Sequence, residues 1–357
     1  MASLLLMKGA DSMAIEKIIV ENFTVFEKIE IDFCNGINVF IGENGTGKTH
    51  LLKLLYAFCK CEHKPVNAVD GEPMFDTTFN QEIEGCFQNI THDTLVRRNR
   101  SVVHNNVTKI SIVGIDGVKF VYGILDKYPD NNGIHYPYRI TAKKETSLAV
   151  YIPAKEMLTH SRLEKDFRDR NLPFDITLID ILDKAGVSTM KMLPKEMQDI
   201  LDKIAQVIGG KVIYSNDRYY IDKGHNIFIE FAVEAEGFKK LGLIYRLIET
   251  GHLKKGSVLI WDEPESNLNP KLLSIIVETL LELSRHEIQI FVTTHDYNLM
   301  KYFSMKKKEN DEVAFFSLYK TEDGVSCERA EDYDLLKHNP IIDANTKLLE
   351  DEIEGTL

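Results

Sequence analysis

An eight-residue glycine pattern joining an apolar strand to an amphipathic helix constrains this chain most. The pattern is GENGTGKT, Gly42–Thr49, which fits G-x-x-x-x-G-K-S/T at every position and follows the apolar run INVFI. After Lys48, apolar residues recur at helical spacing as far as Phe58. Glycines let successive backbone amides point inward, and a helix N-terminus adds partial positive charge. Strand, loop and helix together predict a cradle for phosphate.

The chemistry of a nucleoside triphosphate gives roles to the residues of this loop. We expect Lys48 to contact the β- and γ-phosphates and Thr49 to ligate Mg²⁺. The alternative is a glycine-rich turn in which lysine and threonine occur by chance. The predicted nucleotide-binding residues of the loop are consecutive: Asn44, Gly45, Thr46, Gly47, Lys48, Thr49 and His50.

Two adjacent carboxylates follow a second apolar strand. The stretch is VLIWDEP, Val258–Pro264, and it places Asp262 and Glu263 at the strand end. Because an unpaired buried carboxylate is costly, both need a cation, a donor or water. A bound nucleotide accounts for them: we expect Asp262 to reach the Mg²⁺ held by Thr49. Glu263 would then face the γ-phosphate and orient or deprotonate the attacking water.

A histidine follows a third apolar strand. The stretch IFVTTHD places His295 directly after it. Carboxyl ends of parallel strands gather at one edge of a sheet, so we expect His295 to hydrogen-bond the γ-phosphate. A histidine in this position is more often structural when it stands alone, but the loop and the Asp-Glu pair favour the phosphate role. The predicted catalytic residues are Lys48, Glu263 and His295, and the predicted metal ligands are Thr49 and Asp262.

Alternating strand and helix patterns predict the fold class and a division of the chain. We expect an α/β fold with a mixed, mostly parallel sheet, an antiparallel β subdomain and a helical lobe. Residues 1–12 are expected to be disordered or not native. The predicted domains are residues 13–150, a nucleotide-binding lobe with a polar insertion at about 61–106; residues 151–250, a helical lobe; and residues 251–357, a return to the first lobe with a C-terminal tail.

Charge, hydropathy and cysteine usage narrow the class of protein. The chain carries 43 Lys and Arg against 55 Asp and Glu, a net charge of −12. This balance argues against a broad basic surface for DNA, although it does not exclude a local basic groove. No apolar run is long enough for a membrane span. The five cysteines are odd in number, which suits thiols in a reducing cytoplasm, where we expect the protein.

The three motifs, in this order, resemble the ABC-type ATPase heads of the RecF, SMC and OLD families. The run VENFTVFEKIEIDF before the glycine loop is similar to the opening strand pair of those heads, and ESNLNP is similar to the loop after their Asp-Glu pair, with Asn269 at a variable position. The resemblance is strongest to stand-alone OLD-like ATPases of bacterial antiphage systems. It implies a P-loop NTPase fold, ATP and Mg²⁺ as cofactors, and ATP hydrolysis.

The sequence departs from this family pattern at two places. The junction YIPAKEML lacks the glutamine that transporters and SMC proteins carry, and Glu156 is the stand-in. In EAEGFKKLG, Glu236 occupies the serine position of the signature that caps the phosphate of an opposite subunit. Gly237 is retained, and the resemblance implies that Gly237, the following amides and Lys239 or Lys240 make that contact. The alternative is an ordinary helix start with acidic residues.

The resemblance also implies partners. We expect a homodimer or higher homo-oligomer that forms around ATP and gates a separate effector, a nuclease or toxin in phage defence. The residues after His295 are expected to leave no room for the nuclease domain of OLD proteins. One alternative is a slow or non-hydrolysing ATP-gated scaffold, suggested by Glu236. Another is a RecF-like DNA repair ATPase, which the negative charge disfavours.

Overall fold

The computed structural model describes most of the chain, in ten segments. These are residues 14–61, 63–69, 72–88, 90, 92–97, 107–114, 119–125, 148–161, 167 and 174–355. The N-terminal stretch predicted to be disordered, residues 1–12, lies outside the described residues, as do parts of the predicted polar insertion. The domain bounds given above stay predictions.

Strands and helices alternate as the sequence pattern predicts. The strands are β1 (Ile15–Phe23), β2 (Phe26–Asp32), β3 (Ile37–Gly42), β4 (His63–Val69), β5 (Glu72–Thr77), β6 (Val107–Gly114), β7 (Lys119–Leu125), β8 (Ala149–Ile152), β9 (Lys211–Ser215), β10 (Arg218–Asp222), β11 (Phe228–Glu230), β12 (Val258–Asp262), β13 (Gln289–Thr293), β14 (Val313–Thr321) and β15 (Gly324–Ala330). The helices include α1 (Lys48–Lys60), α2 (Phe79–Cys86), α3 (His92–Leu95), α4 (Ile176–Gly186), α5 (Lys195–Ile208), α6 (Glu236–Glu249), α7 (Pro270–Arg285), α8 (Tyr297–Lys306) and α9 (Pro340–Gly355).

The central sheet has six strands in the order β15-β14-β3-β13-β12-β8. Its neighbouring pairs are parallel, apart from the antiparallel pair β14 and β15 at one edge. The predicted mixed, mostly parallel sheet is therefore confirmed. Every residue of β3, β12 and β13 is buried, as expected for parallel strands covered on both faces. Because β12, β13 and β3 are neighbours, their carboxyl ends meet at one edge of the sheet.

Two hydrophobic cores lie on opposite faces of this sheet. Along β3, Val39 and Ile41 enter one core and Phe40 enters the other, as the two-residue period of a strand requires. Helices α4 to α8 contribute buried residues to the first core. Helix α1 and the antiparallel sheet β2-β1-β6-β7 contribute to the second. Burial on both faces fixes the strand register, which in turn fixes where each strand ends.

Helix boundaries follow local capping chemistry. Asn269 accepts a hydrogen bond from the Lys271 amide at 3.0 Å, and Pro270 occupies the first turn of α7. Helix α6 ends before Gly251, whose φ of 75° gives the left-handed residue expected there. Strands β9, β10 and β11 form a separate antiparallel sheet. Within the described segments, no helix combines the length and hydropathy needed to cross a bilayer.

Candidate nucleotide-binding site

The glycine loop between β3 and α1 adopts backbone angles that favour glycine. Gly42, Gly45 and Gly47 have φ values of 146°, 79° and 87°. A Cβ on Gly42 would lie 2.3 Å from the Leu318 carbonyl oxygen, so this position needs glycine for space as well as for conformation. Thr46 is buried, and its hydroxyl donates to the Glu43 carbonyl at 2.9 Å, which closes the turn.

Lys48 begins α1 and turns its side chain back over this loop. Its Nζ atom donates to the carbonyl oxygens of Gly42 at 2.8 Å and Glu43 at 3.0 Å. Burial lowers the pKa of the Lys48 ammonium, and the carboxylates of Glu263 and Asp262 oppose that shift. Lys48 is a buried cation at a helix N-terminus, which is an arrangement that favours an anionic phosphate.

Asp262 ends β12 and accepts hydrogen bonds from three hydroxyl groups. Thr49 Oγ1 lies 3.0 Å from Oδ2, and Tyr151 OH lies 3.2 Å from the same oxygen. The Thr293 hydroxyl donates to Oδ1. The carboxylate is almost fully buried, at 8% exposure, and these donors offset the cost of removing it from water. The predicted metal ligands Thr49 and Asp262 are thus adjacent in space.

The Thr49 hydroxyl and the Asp262 carboxylate are suitable ligands for the Mg²⁺ that accompanies a bound nucleotide. Mg²⁺ keeps several waters and binds through one or two protein oxygens plus substrate phosphates, so the Thr49 hydroxyl and the Asp262 carboxylate are sufficient. A cage made by protein alone would need more ligands. In the described part of the chain, no group of three or more His, Cys, Asp or Glu side chains could hold a metal ion. When bound, Mg²⁺ would neutralise charge that develops on the phosphates.

Glu263 follows Asp262 in a strained backbone conformation. Its φ is 47°, which costs a residue other than glycine on the order of 1 kcal/mol or more. Its amide donates to Thr293 Oγ1 at 3.0 Å, and Ser266 Oγ donates to its Oε2 at 3.1 Å. The side chain is 37% exposed, so the carboxylate reaches solvent at the sheet edge. Strained residues that persist at a site edge are associated with function.

His295 follows β13 and faces Glu263. Its Nε2 lies 3.6 Å from Glu263 Oε1. Burial lowers the pKa of the imidazole, and the nearby Lys48 ammonium lowers it further. Glu265 fixes the backbone here, because its Oε1 accepts from the His295 amide at 2.7 Å and from Thr294 Oγ1 at 2.9 Å. The three predicted catalytic residues therefore meet at the carboxyl ends of neighbouring strands.

Two other predicted site residues have their side chains engaged elsewhere. The carboxylate of Glu156 accepts from the amide and hydroxyl of Thr159, so it caps the turn that follows β8. His50 Nδ1 lies 3.0 Å from Thr24 Oγ1, which turns the ring toward the antiparallel sheet. Burial lowers the pKa of this imidazole. Among the residues the structure describes, neither side chain forms a hydrogen bond or an ion pair with Lys48, Asp262 or Glu263.

The start of α6 holds its charged residues in pairs within the same subunit. Lys239 Nζ lies 2.8 Å from Glu236 Oε1, although the lysine is buried. Lys240 is also buried, and its Nζ donates to the carbonyl oxygens of Pro264 at 3.0 Å and Ser266 at 2.6 Å. The two lysines suggested by the sequence for a phosphate contact thus bind their own chain. Gly237 lies at the helix start, where a Cβ would meet Leu272.

Sequence reasoning assigned no role to four residues that complete the site: Tyr151, Thr293, Glu265 and Ser266. Thr293 and Ser266 carried a signal, since they lie next to the two motifs and have short hydroxyl side chains. Tyr151 carried none, because its contact depends on β8 pairing with β12, whose sequence is distant.

Comparisons with known proteins concern the family and the fold of the chain. Residues 159–301 match the family model described as "AAA domain, putative AbiEii toxin, Type IV TA system". This stretch of the chain is similar to an AAA domain. A 47-residue stretch is 49% identical to the DNA replication and repair protein RecF of Cytophaga hutchinsonii, and a 60-residue stretch is 42% identical to RecF of Listeria welshimeri. These stretches cover only 12% and 16% of the relatives, and 13% and 16% of this chain.

Solved structures show the same fold over nearly the whole chain. The SMC head domain from Thermotoga maritima matches with a TM-score of 0.50, covering 89% of this chain and 99% of that chain, at 12% sequence identity. An SMC head bound to the C-terminal winged-helix domain of ScpA matches with a TM-score of 0.55, covering 88% and 98%, also at 12% identity. The predicted fold class, that of an ABC-type ATPase head, is therefore confirmed.

Proposed function

We propose that this ATPase domain binds MgATP at the edge formed by β3, β12 and β13, hydrolyses it, and in its ATP-bound assembly controls a partner protein. One observation carries the proposal. Asp262 accepts from Thr49, the neighbour of Lys48 in the chain, and His295 lies 3.6 Å from Glu263, so these residues meet at the ends of three neighbouring parallel strands. Carboxyl ends of parallel strands are where α/β proteins bind nucleotides.

Each side chain has a distinct task in this proposal. Lys48 exchanges its two carbonyl partners for phosphate oxygens, whose negative charge stabilises the ammonium that burial disfavours. Glu263 accepts a proton from, or orients, the water that attacks the γ-phosphate. His295, whose pKa is lowered by burial, donates a hydrogen bond as a neutral imidazole. Thr49 and Asp262 would hold Mg²⁺.

Assembly and effector control rest on the fold and on the family match. Two copies placed head to tail would bring the α6 start of one copy to the nucleotide of the other, as the resemblance to SMC and RecF heads implies. The description of the family matched by residues 159–301 names an AAA domain, a putative AbiEii toxin and a type IV TA system, and one matching SMC head is bound to a ScpA domain. These relationships support a homo-oligomer that gates a separate nuclease or toxin, with phage defence as its biological setting.

The decisive experiment compares ATP turnover and ATP binding in Glu263→Gln and in the wild type. The variant should bind ATP with similar affinity and release phosphate at least roughly 100-fold more slowly, since a general base contributes about 10²–10⁴-fold. Glu287→Gln is the matched control, because Glu287 is exposed and pairs with Lys255 near the opposite ends of the strands. Equal turnover in Glu263→Gln and wild type would contradict the assigned role of Glu263.

A second candidate function is a sensor that binds ATP and turns it over slowly. Glu236 favours it, because a carboxylate at the start of α6, already paired with Lys239, would oppose the phosphate of a second copy. Steady-state phosphate release, with and without DNA, separates this sensor from an active ATPase. A RecF-like role in DNA repair draws on the short RecF matches. DNA titrations at two salt concentrations test it, since binding through phosphates weakens steeply with salt.

A further inference from the structure

The edge strand of the central sheet places a tyrosine hydroxyl on the carboxylate of Asp262. Strand β8 pairs in parallel with β12, and Tyr151 lies opposite Ile260 in that register. The Tyr151 side chain is 2% exposed, and its hydroxyl lies 3.2 Å from Asp262 Oδ2. The side chain of Tyr151 therefore extends along β12 to Asp262, the last residue of that strand.

We propose that Tyr151 is a positioning residue that orients the Asp262 carboxylate for Mg²⁺, a role that rests on the proposed function. Asp262 lies between two neighbouring strands, and each supplies one hydroxyl. Tyr151 from β8 donates to Oδ2, and Thr293 from β13 donates to Oδ1. The terminal torsion of an aspartate is broad when nothing holds it. Donors on both oxygens restrict that torsion to one plane.

The shared oxygen explains why orientation matters for the metal. Thr49 and Tyr151 both approach Asp262 Oδ2. To ligate Mg²⁺, Thr49 must direct an oxygen lone pair at the ion while its hydroxyl proton keeps its hydrogen bond to Asp262. A carboxylate fixed in one plane keeps Oδ2 in place for that proton. Partners that orient metal ligands commonly change metal affinity by about 10–100-fold when they are removed.

Packing alone does not account for a tyrosine at this position. The ring lies 5.5 Å from the Tyr56 ring, and a phenylalanine would fill the same space. A buried hydroxyl without a partner costs about 1–3 kcal/mol, so the hydroxyl is tolerated because of its bond to Asp262. Burial and the Asp262 charge raise the pKa of the phenol, which keeps its proton available to donate.

The test compares Tyr151→Phe with Tyr56→Phe. Both changes remove one buried phenol oxygen, and the hydroxyl of Tyr56 instead bonds to Asp180 at 2.9 Å. Calorimetry with the slowly hydrolysed analogue ATPγS, at a series of Mg²⁺ concentrations, gives the concentration for half-maximal tightening of nucleotide binding. Thermal melts establish that each variant is folded.

We expect Tyr151→Phe to raise this Mg²⁺ concentration roughly 10-fold and to leave binding in EDTA unchanged, while Tyr56→Phe matches the wild type. Equal Mg²⁺ dependence in Tyr151→Phe and the wild type would overturn the positioning role. Weaker binding by Tyr151→Phe in EDTA as well would also overturn it, since the effect would then be general. A wild-type protein that does not bind ATPγS even with Mg²⁺ would instead refute the proposed function.

Discussion

The hydroxyl of Thr49 donates to the carboxylate of Asp262 at 3.0 Å, although 213 positions separate them in the chain. This contact joins the first turn of α1 to the end of β12. It exists because β13 lies between β3 and β12 and holds all three strands in parallel. Two motifs that are far apart in sequence thus form one site.

Replacing Lys48 should remove most of the affinity for ATP. Lys48→Ala deletes the cation inside the glycine loop, and a lost contact between a cation and phosphate corresponds to a weakening of roughly 10–100-fold. Calorimetric titration with MgATP measures it. Lys255→Ala is the control, since Lys255 is exposed and pairs with Glu287. Affinity in Lys48→Ala within twofold of the wild type would count against the loop as the phosphate site.

Alanine at two glycines of the same loop should have different effects. A Cβ on Gly45 meets nothing within 4 Å, so Gly45→Ala costs only its left-handed backbone, about 1 kcal/mol. A Cβ on Gly42 would clash with the Leu318 carbonyl at 2.3 Å, so Gly42→Ala should cost distinctly more. Urea denaturation of both variants measures the difference in the free energy of unfolding. Equal losses would show that the turn relaxes around Gly42.

Trapped ATP should enlarge the assembly. In Glu263→Gln, ATP stays bound, so size-exclusion chromatography with light scattering should show a larger species with MgATP than without nucleotide. The double variant Lys48→Ala/Glu263→Gln is the control, because it cannot retain ATP and should elute as the nucleotide-depleted protein does. An unchanged mass in Glu263→Gln with MgATP would argue against ATP-driven assembly.

Stability should rise at alkaline pH because of Lys240. Burial lowers the pKa of this ammonium to about 8, although the Glu265 and Glu236 carboxylates oppose the shift. Above pH 8 the folded protein releases this proton, while an unfolded lysine keeps it up to its ordinary pKa of 10.5. The unfolded state then binds more protons, so the free energy of unfolding increases with pH. Between pH 7 and 9.5 the gain is about 2 kcal/mol.

Urea denaturation at both pH values isolates this contribution. Wild type should gain this stability relative to Lys240→Met, which has no ammonium at the position. Lys255→Met is the matched lysine-to-methionine control at an exposed site and should follow the wild type. If wild type and Lys240→Met change in parallel between the two pH values, Lys240 does not titrate in this range.

Much of the fold could be predicted because its signals are local. The glycine pattern set the end of β3 and the start of α1, and the apolar runs before Asp262 and His295 marked two further strands to within about a residue. Side-chain direction was less predictable. Glu156 was selected by its place in a motif, yet its carboxylate caps the next turn at Thr159. Short-range capping is not encoded in family spacing.

The partners of the α6 lysines could not be predicted. Lys239 and Lys240 are adjacent in sequence, but one pairs with Glu236 and the other binds carbonyls of the loop after β12. Adjacent residues on a helix point about 100° apart, and only the packing of α6 against that loop decides which partner each finds. The sequence indicated two cations near a phosphate, and the tertiary structure gave each a partner in its own chain.

The sequence by itself determined a glycine loop between a strand and a helix, and two carboxylates and a histidine at the ends of apolar strands, since glycine conformation and strand burial are properties of short segments. Only the tertiary structure decided that Tyr151 and Thr293 hold Asp262 from either side. That decision depends on the order and register of β8, β12 and β13, which are set by the packing of two cores against both faces of the sheet.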